Sequence, residues 1–264
     1  CVVVSTALFS CQKENKTPST TTSGISSEVI SQIQAQGFST DGIIKVDGGY
    51  VVENDIFLST EGLTKAMSVG PELRVPDEEQ YHTTNLITAL PRTITIAVTG
   101  LDAIWTAATD SAVARYNALN LRLKLQRVAS GAAITVTGAD LGGGGVLGQS
   151  SGFPDINGNP PNKITINSRP GTFGTNPSVQ WLATIIAHEV GHTIGFRHTD
   201  YANRNYSCGF SFPRNEGDGG VGAIWIPKTP KGPKDPGSWM LACTDGTNRP
   251  FNPNDITALR YLYK

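Results

Sequence analysis

The chain carries four histidines, His82, His188, His192 and His198, and the last three fall within the stretch HEVGHTIGFRH at 188–198. Helix positions four apart share a face, so His188 and His192 can turn two imidazoles toward one ion. Glu189 stands one residue on, where its carboxylate can reach a water on that ion without being a ligand itself. Gly195 can take the left-handed conformation that ends a helix, and the resulting turn lets His198 return with a third nitrogen. Three protein ligands leave one zinc position open, the arrangement of a catalytic rather than a structural site. Zinc so held would polarise a carbonyl and lower the pKa of a water. Glu189 would accept that water's proton as general base and hand it to a leaving amine. The spacing H-E-x-x-H-x-x-G-x-x-H arises by chance in about one chain in a hundred thousand of this length. His82 stands apart from the cluster, and a packed or surface histidine is its simpler reading.

The elements around this motif must hold it rigidly. SVQWLATIIAHEVGHTI (178–194) is apolar on most sides, which predicts a buried helix, with Asn176 as its cap and Pro177 at its first position. Strands are predicted at TITIAV (93–98), LRLKLQRV (121–128), AITVTG (133–138) and KITIN (163–167), where β-branched residues alternate with polar ones. A short edge strand is expected near Val146 and Leu147, after the glycine run at 142–145. Helical spacing marks 103–118, capped by Asp102, and 254–263, capped by Asn254 or Asp255. Earlier in the chain, SEVISQIQAQGF reads as a helix and GGYVVENDIFLST tends toward a strand. The order implies an α+β fold. A twisted mixed sheet would carry a long helix and the active-site helix, above a loop-rich lower half ending in a helix.

The 264 residues suffice for one large domain and an N-terminal extension. A net charge of −1 with 16% charged residues gives no basic surface for nucleic acid. Residues 1–11 read as the end of a signal peptide whose Leu8-Phe9-Ser10-Cys11 resembles a bacterial lipobox, with Cys11 lipidated. The expected location is therefore export, to the cell envelope through a lipid in the membrane or to the outside of the cell. Residues 12–27 form a Ser/Thr-rich tether, 28–85 an N-terminal subdomain or prosegment, and 86–264 the catalytic domain. Cys208 and Cys243 form the pair left beyond the signal region, and in an exported protein a disulfide between them is expected.

HEVGHTIGFRHTD (188–200) resembles the zinc helix of the dual-action HEIGH metallopeptidase family, within the metzincin zinc endopeptidases. GGYVVENDI (48–56), ARYNALNLRLKLQRV (114–128), DPGSWM (235–240) and PFNPNDITALRYLY (250–263) carry the resemblance over most of the chain. The likeness implies a metallopeptidase with zinc on His188, His192 and His198, Glu189 as catalytic base and Ser238-Trp239-Met240 as a methionine turn beneath the metal. Some metzincins place a tyrosine two residues after that methionine, but here the position is Ala242. The partner of the transition state is thus open, with Tyr201 and Tyr206 as substitutes. Asp200 could orient His198 or lie on an exposed loop.

The implied partner is a protein or peptide, lying extended along the strand before KITIN as an added strand, and the chain is expected to be a monomer. A zinc amidase of non-peptide substrates and a surface-binding lipoprotein with an idle site are the alternatives. The segment 28–85 holds no cysteine to cover the metal. Asp47, Glu53 or Asp55 could do so instead, although plain structural packing is the simpler expectation. Calcium could bind loops such as DINGN (155–159) and NEGDGG (215–220), which lack full calcium-loop spacing.

Overall fold

The alternating β-branched segments assemble around one sheet in the computed structural model, which describes residues 24–35, 38, 40, 42–52, 55–60, 63, 80–143, 145–209, 216, 221–230 and 235–264. A helix α1 (Ser27–Ala35) precedes three short strands, β1 (Ile44–Val46), β2 (Gly49–Val52) and β3 (Ile56–Ser59). After β4 (Tyr81–His82) come β5 (Arg92–Thr99), helix α2 (Ala103–Ala118), β6 (Leu123–Arg127), β7 (Ile134–Ala139), β8 (Gly148–Ser150) and β9 (Lys163–Asn167). Helix α3 (Val179–Thr193) carries the histidine motif, and α4 (Asn205–Cys208), β10 (Ile224–Trp225) and α5 (Pro253–Tyr263) complete the chain. The main sheet runs β1-β2-β3-β8-β9-β7-β5-β6, parallel through β9, β7, β5 and β6 and antiparallel at β8–β9. This mixed sheet with its long helix, motif helix and loop-rich remainder is the α+β arrangement expected.

One core joins the inward residues of the sheet (Ile94, Ile96, Ile134, Val136, Ile164, Ile166) to α2, α3 and α5. Burying so much aliphatic surface, at about 25 cal/mol per Å², locks α3 in place. Hydroxyls fix its depth at two points. Tyr116 of α2 donates to the Ala187 carbonyl at 2.8 Å, and Tyr263 of α5 donates to Ile194 O. A second, smaller core gathers Ile33, Phe38, Ile43, Tyr50, Val52, Ile56 and Leu63. All of its fully buried members precede Gln80, so the N-terminal strands share the sheet while keeping a core of their own.

Several local expectations shift. The cap of α3 is Ser178, whose Oγ accepts from Trp181 N at 3.2 Å, rather than Asn176. Only a residue directly before the first helical turn can reach the free amide three positions on. For the same reason Asn252, not Asn254 or Asp255, caps α5, with Pro253 next and Asp255 returning a bond to Asn252 N. Asp102 stands at the cap position of α2 without a side-chain cap bond. The short strand falls at 148–150, because pairing with β9 begins at Gly148 opposite Ile166. GGYVVENDIFLST makes two antiparallel strands instead of one. Strand β8 is not an edge: β3 pairs with it in parallel, Ile56 opposite Ser150.

Candidate metal centre

Helix periodicity places His188 and His192 one turn apart on α3, with ring centroids 4.8 Å apart. Gly195, at φ +102°, ends the helix and sends the chain back so that the His198 ring lies 4.8 Å from His192 and 5.3 Å from His188. Each Nδ1 is fixed by an oxygen. His188 Nδ1 meets Trp239 O at 2.8 Å, His192 Nδ1 meets Phe196 O at 2.9 Å, and His198 Nδ1 meets Glu216 Oε1 at 2.6 Å. With Nδ1 donating, each Nε2 keeps its lone pair for a metal. The Nε2 atoms of His188 and His192 stand 3.1 Å apart. Two lone pairs facing each other so closely repel unless a cation lies between them, so these residues fit a metal ion. Burial pushes His192 down to about 4, which keeps it neutral, the form that binds metal.

Glu189 is buried, and its Oε2 has no hydrogen-bond partner among the described residues. Burial, and then the charge of Asp55, push its carboxyl well above the usual range. Below the site, the Met240 side chain is fully buried against Gly191 of α3. Trp239 beside it donates from Nε1 to Ala187 O at 3.2 Å, and Ser238 shares a hydrogen bond with Thr199 at 2.6 Å. The segment holding Met240 thus braces α3 and the His198 loop together.

Three placements depart from the sequence reading. Asp200 accepts from Ala242 N at 2.9 Å and from Ser207 Oγ at 2.6 Å, and it is Glu216 that holds His198. Burial opposes ionisation of Glu216, but His198 and Arg204 outweigh it and bring its carboxyl to about 2. Tyr201 stacks on Tyr81 at a centroid distance of 4.6 Å, and neither it nor Tyr206 lines the cavity described below. Most unexpected by the simpler packing reading, Asp55 joins the histidines. Its Oδ2 lies 2.7 Å from His198 Nε2, 3.4 Å from His188 Nε2 and 3.6 Å from His192 Nε2. The ligand atoms of Asp55, His188, His192 and His198 all fall within 4.8 Å of one another. Of the other acidic candidates, Asp47 is exposed and Glu53 lies outside the described residues, as does Cys11. Glu216 belongs to NEGDGG, one of the two loops of calcium-site composition, and no periodic signal in the sequence ties it to His198. In the other such loop, Asp155 Oδ1 accepts from the backbone amides of Asn157 and Asn159.

A cavity of about 360 Å³ opens beside His188 and Glu189, walled by Leu147, Trp181, Ile185 and Leu241 with Arg249 at its border. Cys208 and Cys243 are joined in a disulfide, tying α4 to the segment after Met240.

Among solved structures, two of myroilysin are similar at 16% identity. One covers 69% of this chain and 98% of its own with a TM-score of 0.43, the other 68% and 86% with a TM-score of 0.40. A search of curated proteins finds no match. The sequence profile of the dual-action HEIGH metallopeptidases, by contrast, matches residues 50–263, from β2 through the metal cluster to the end of α5. With the three imidazoles and the adjoining glutamate in place, the chain belongs to the dual-action HEIGH metallopeptidase family and is a zinc-dependent peptidase.

Proposed function

We propose that the protein is an exported zinc endopeptidase in which Glu189 is the general base and His188, His192 and His198 hold the metal. The observation that carries this reading is the set of three imidazoles, each fixed through Nδ1, beside a buried carboxylate whose Oε2 has no partner among the described residues. Bound zinc supplies Lewis acidity toward the scissile carbonyl and toward a water. Glu189 holds that water's proton at its carboxylate and returns it to the departing amine. Burial and the charge of Asp55 raise the Glu189 carboxyl above the usual range, which makes it a stronger base toward that proton. Trp239 O, Phe196 O and Glu216 keep the imidazoles from rotating. The apolar cavity beside Glu189 takes a substrate side chain next to the cleaved bond.

Export rests on the apolar start of the chain and on Cys11, which would carry a lipid to the cell envelope. The Cys208–Cys243 disulfide supports it, because such bonds persist in oxidising compartments.

The test is hydrolysis of casein with fragment sizes and zinc content read on the same sample. Internal fragments are expected, with one zinc per chain. Glu189→Gln should keep its zinc and lose about 100- to 10,000-fold in kcat/KM. Undiminished cleavage by Glu189→Gln would remove Glu189 from the mechanism, and release of single terminal amino acids alone would rule out an endopeptidase.

A further inference from the structure

The N-terminal strands reach the metal cluster in a way that packing alone does not require. Asp55 stands in the connection between β2 and β3, 7% exposed, and its backbone oxygen accepts from Ser150 N of β8 at 3.1 Å. That bond and the Ile56–Ser150 pairing fix the connection over the histidines. The side chain then delivers Oδ2 among the three Nε2 atoms, while Oδ1 has no partner among the described residues. Zinc with three protein ligands keeps a working position, whereas a fourth protein ligand closes the tetrahedron. Strand β3 also covers β8, the rim along which an extended peptide would otherwise add as a strand.

We propose that the β1–β3 segment is an internal occupant of the peptide groove and that Asp55 competes for the fourth position on the metal, so that the folded chain keeps only a low basal activity until this segment leaves. The inference rests on the metallopeptidase reading of the same site. The segment is built to leave. Its buried Tyr50, Val52 and Ile56 belong to a core separate from the one that holds α3, and β3 meets β8 through a single residue pair. Departure therefore opens the groove without exposing the core beneath the metal. A carboxylate tethered this closely acts as a competitor at an effective concentration on the order of millimolar, enough to exclude a weak small ligand.

The experiment measures calorimetrically the binding of acetohydroxamate, a small bidentate zinc ligand, to the zinc-loaded full chain. Wild type is compared with Asp55→Ala and with Asp55→Asn, which keeps the side-chain shape if the alanine variant folds poorly. Both variants should hold one zinc and bind acetohydroxamate at least about tenfold more tightly than wild type, a gain set by removing a competitor of that effective concentration. Peptide hydrolysis should rise in parallel. Equal hydroxamate affinity in all three proteins would overturn the proposal. So would loss of zinc from both variants, since Asp55 would then be a permanent ligand. Tighter hydroxamate binding without any peptide cleavage would support the closed metal position and count against peptides as the substrate.

Discussion

Gly191 lies between the two helical histidines of the motif, and replacing it with alanine tests how closely the Met240 segment supports the candidate metal site. A β-carbon at position 191 would press into Met240 Sδ and lie 3.2 Å from both Met240 Cε and Trp239 Nε1. Neither side chain can swing into solvent, because Met240 is 0% and Trp239 1% exposed. Overpacking of this kind costs about 1–3 kcal/mol. Against it, glycine-to-alanine inside a helix gains about 1 kcal/mol. The net effect of Gly191→Ala is thus a loss of about 1 kcal/mol, or about 2–4 °C in Tm for a chain of this size. A double-mutant cycle isolates the contact. Met240→Ala alone should cost about 2–5 kcal/mol as a cavity mutation. In that background Gly191→Ala meets little obstruction and should stabilise by about 1 kcal/mol through helix propensity. The coupling between the two sites is then about 2 kcal/mol, well above the scatter of independent sites. The assay is urea or thermal unfolding of the zinc-loaded proteins, with metal content checked for each. Additive effects, or a Gly191→Ala protein more stable than wild type, would refute the close contact between helix and methionine.

Glu216→Gln removes the charge that fixes His198 Nδ1 and should weaken zinc binding by about 10- to 100-fold, read by competition with a chromogenic chelator; unchanged affinity would contradict the orienting role. Gly148→Ala places a β-carbon 2.9 Å from Glu189 Oε1 and should lower kcat by about tenfold to a hundredfold with zinc content intact, as small misplacements of a reacting group do. Replacing Cys208 and Cys243 by serine releases a loop with a sequence separation of 35. By chain entropy this costs about 4 kcal/mol, on the order of 10 °C in Tm, and a melting temperature unmoved by the change would show that the bridge contributes little.

The sequence by itself determined the chemistry that depends on short spacing. His188, Glu189 and His192 are placed by helix geometry, and Gly195 turns the chain at φ +102° as its position in the motif implies. It also determined the main strands and helices, because KITIN and 103–118 carry periodicities that the core then rewards by burial. Helix caps are less legible in the sequence, since several polar residues near a helix start compete and only backbone geometry selects among Asn252, Asn254 and Asp255. Tertiary structure alone decided the rest. The contact between Asp55 and His198 spans 143 positions and that between Glu216 and His198 spans 18. Neither carboxylate stands in a local pattern that marks it. An acidic residue in a glycine-rich or strand-connecting loop looks like solvated surface until the chain closes around it. Whether such a carboxylate faces water or an imidazole depends on which strand pairs with which. That pairing is fixed by the burial of whole faces of the sheet, a property that no short window of residues contains.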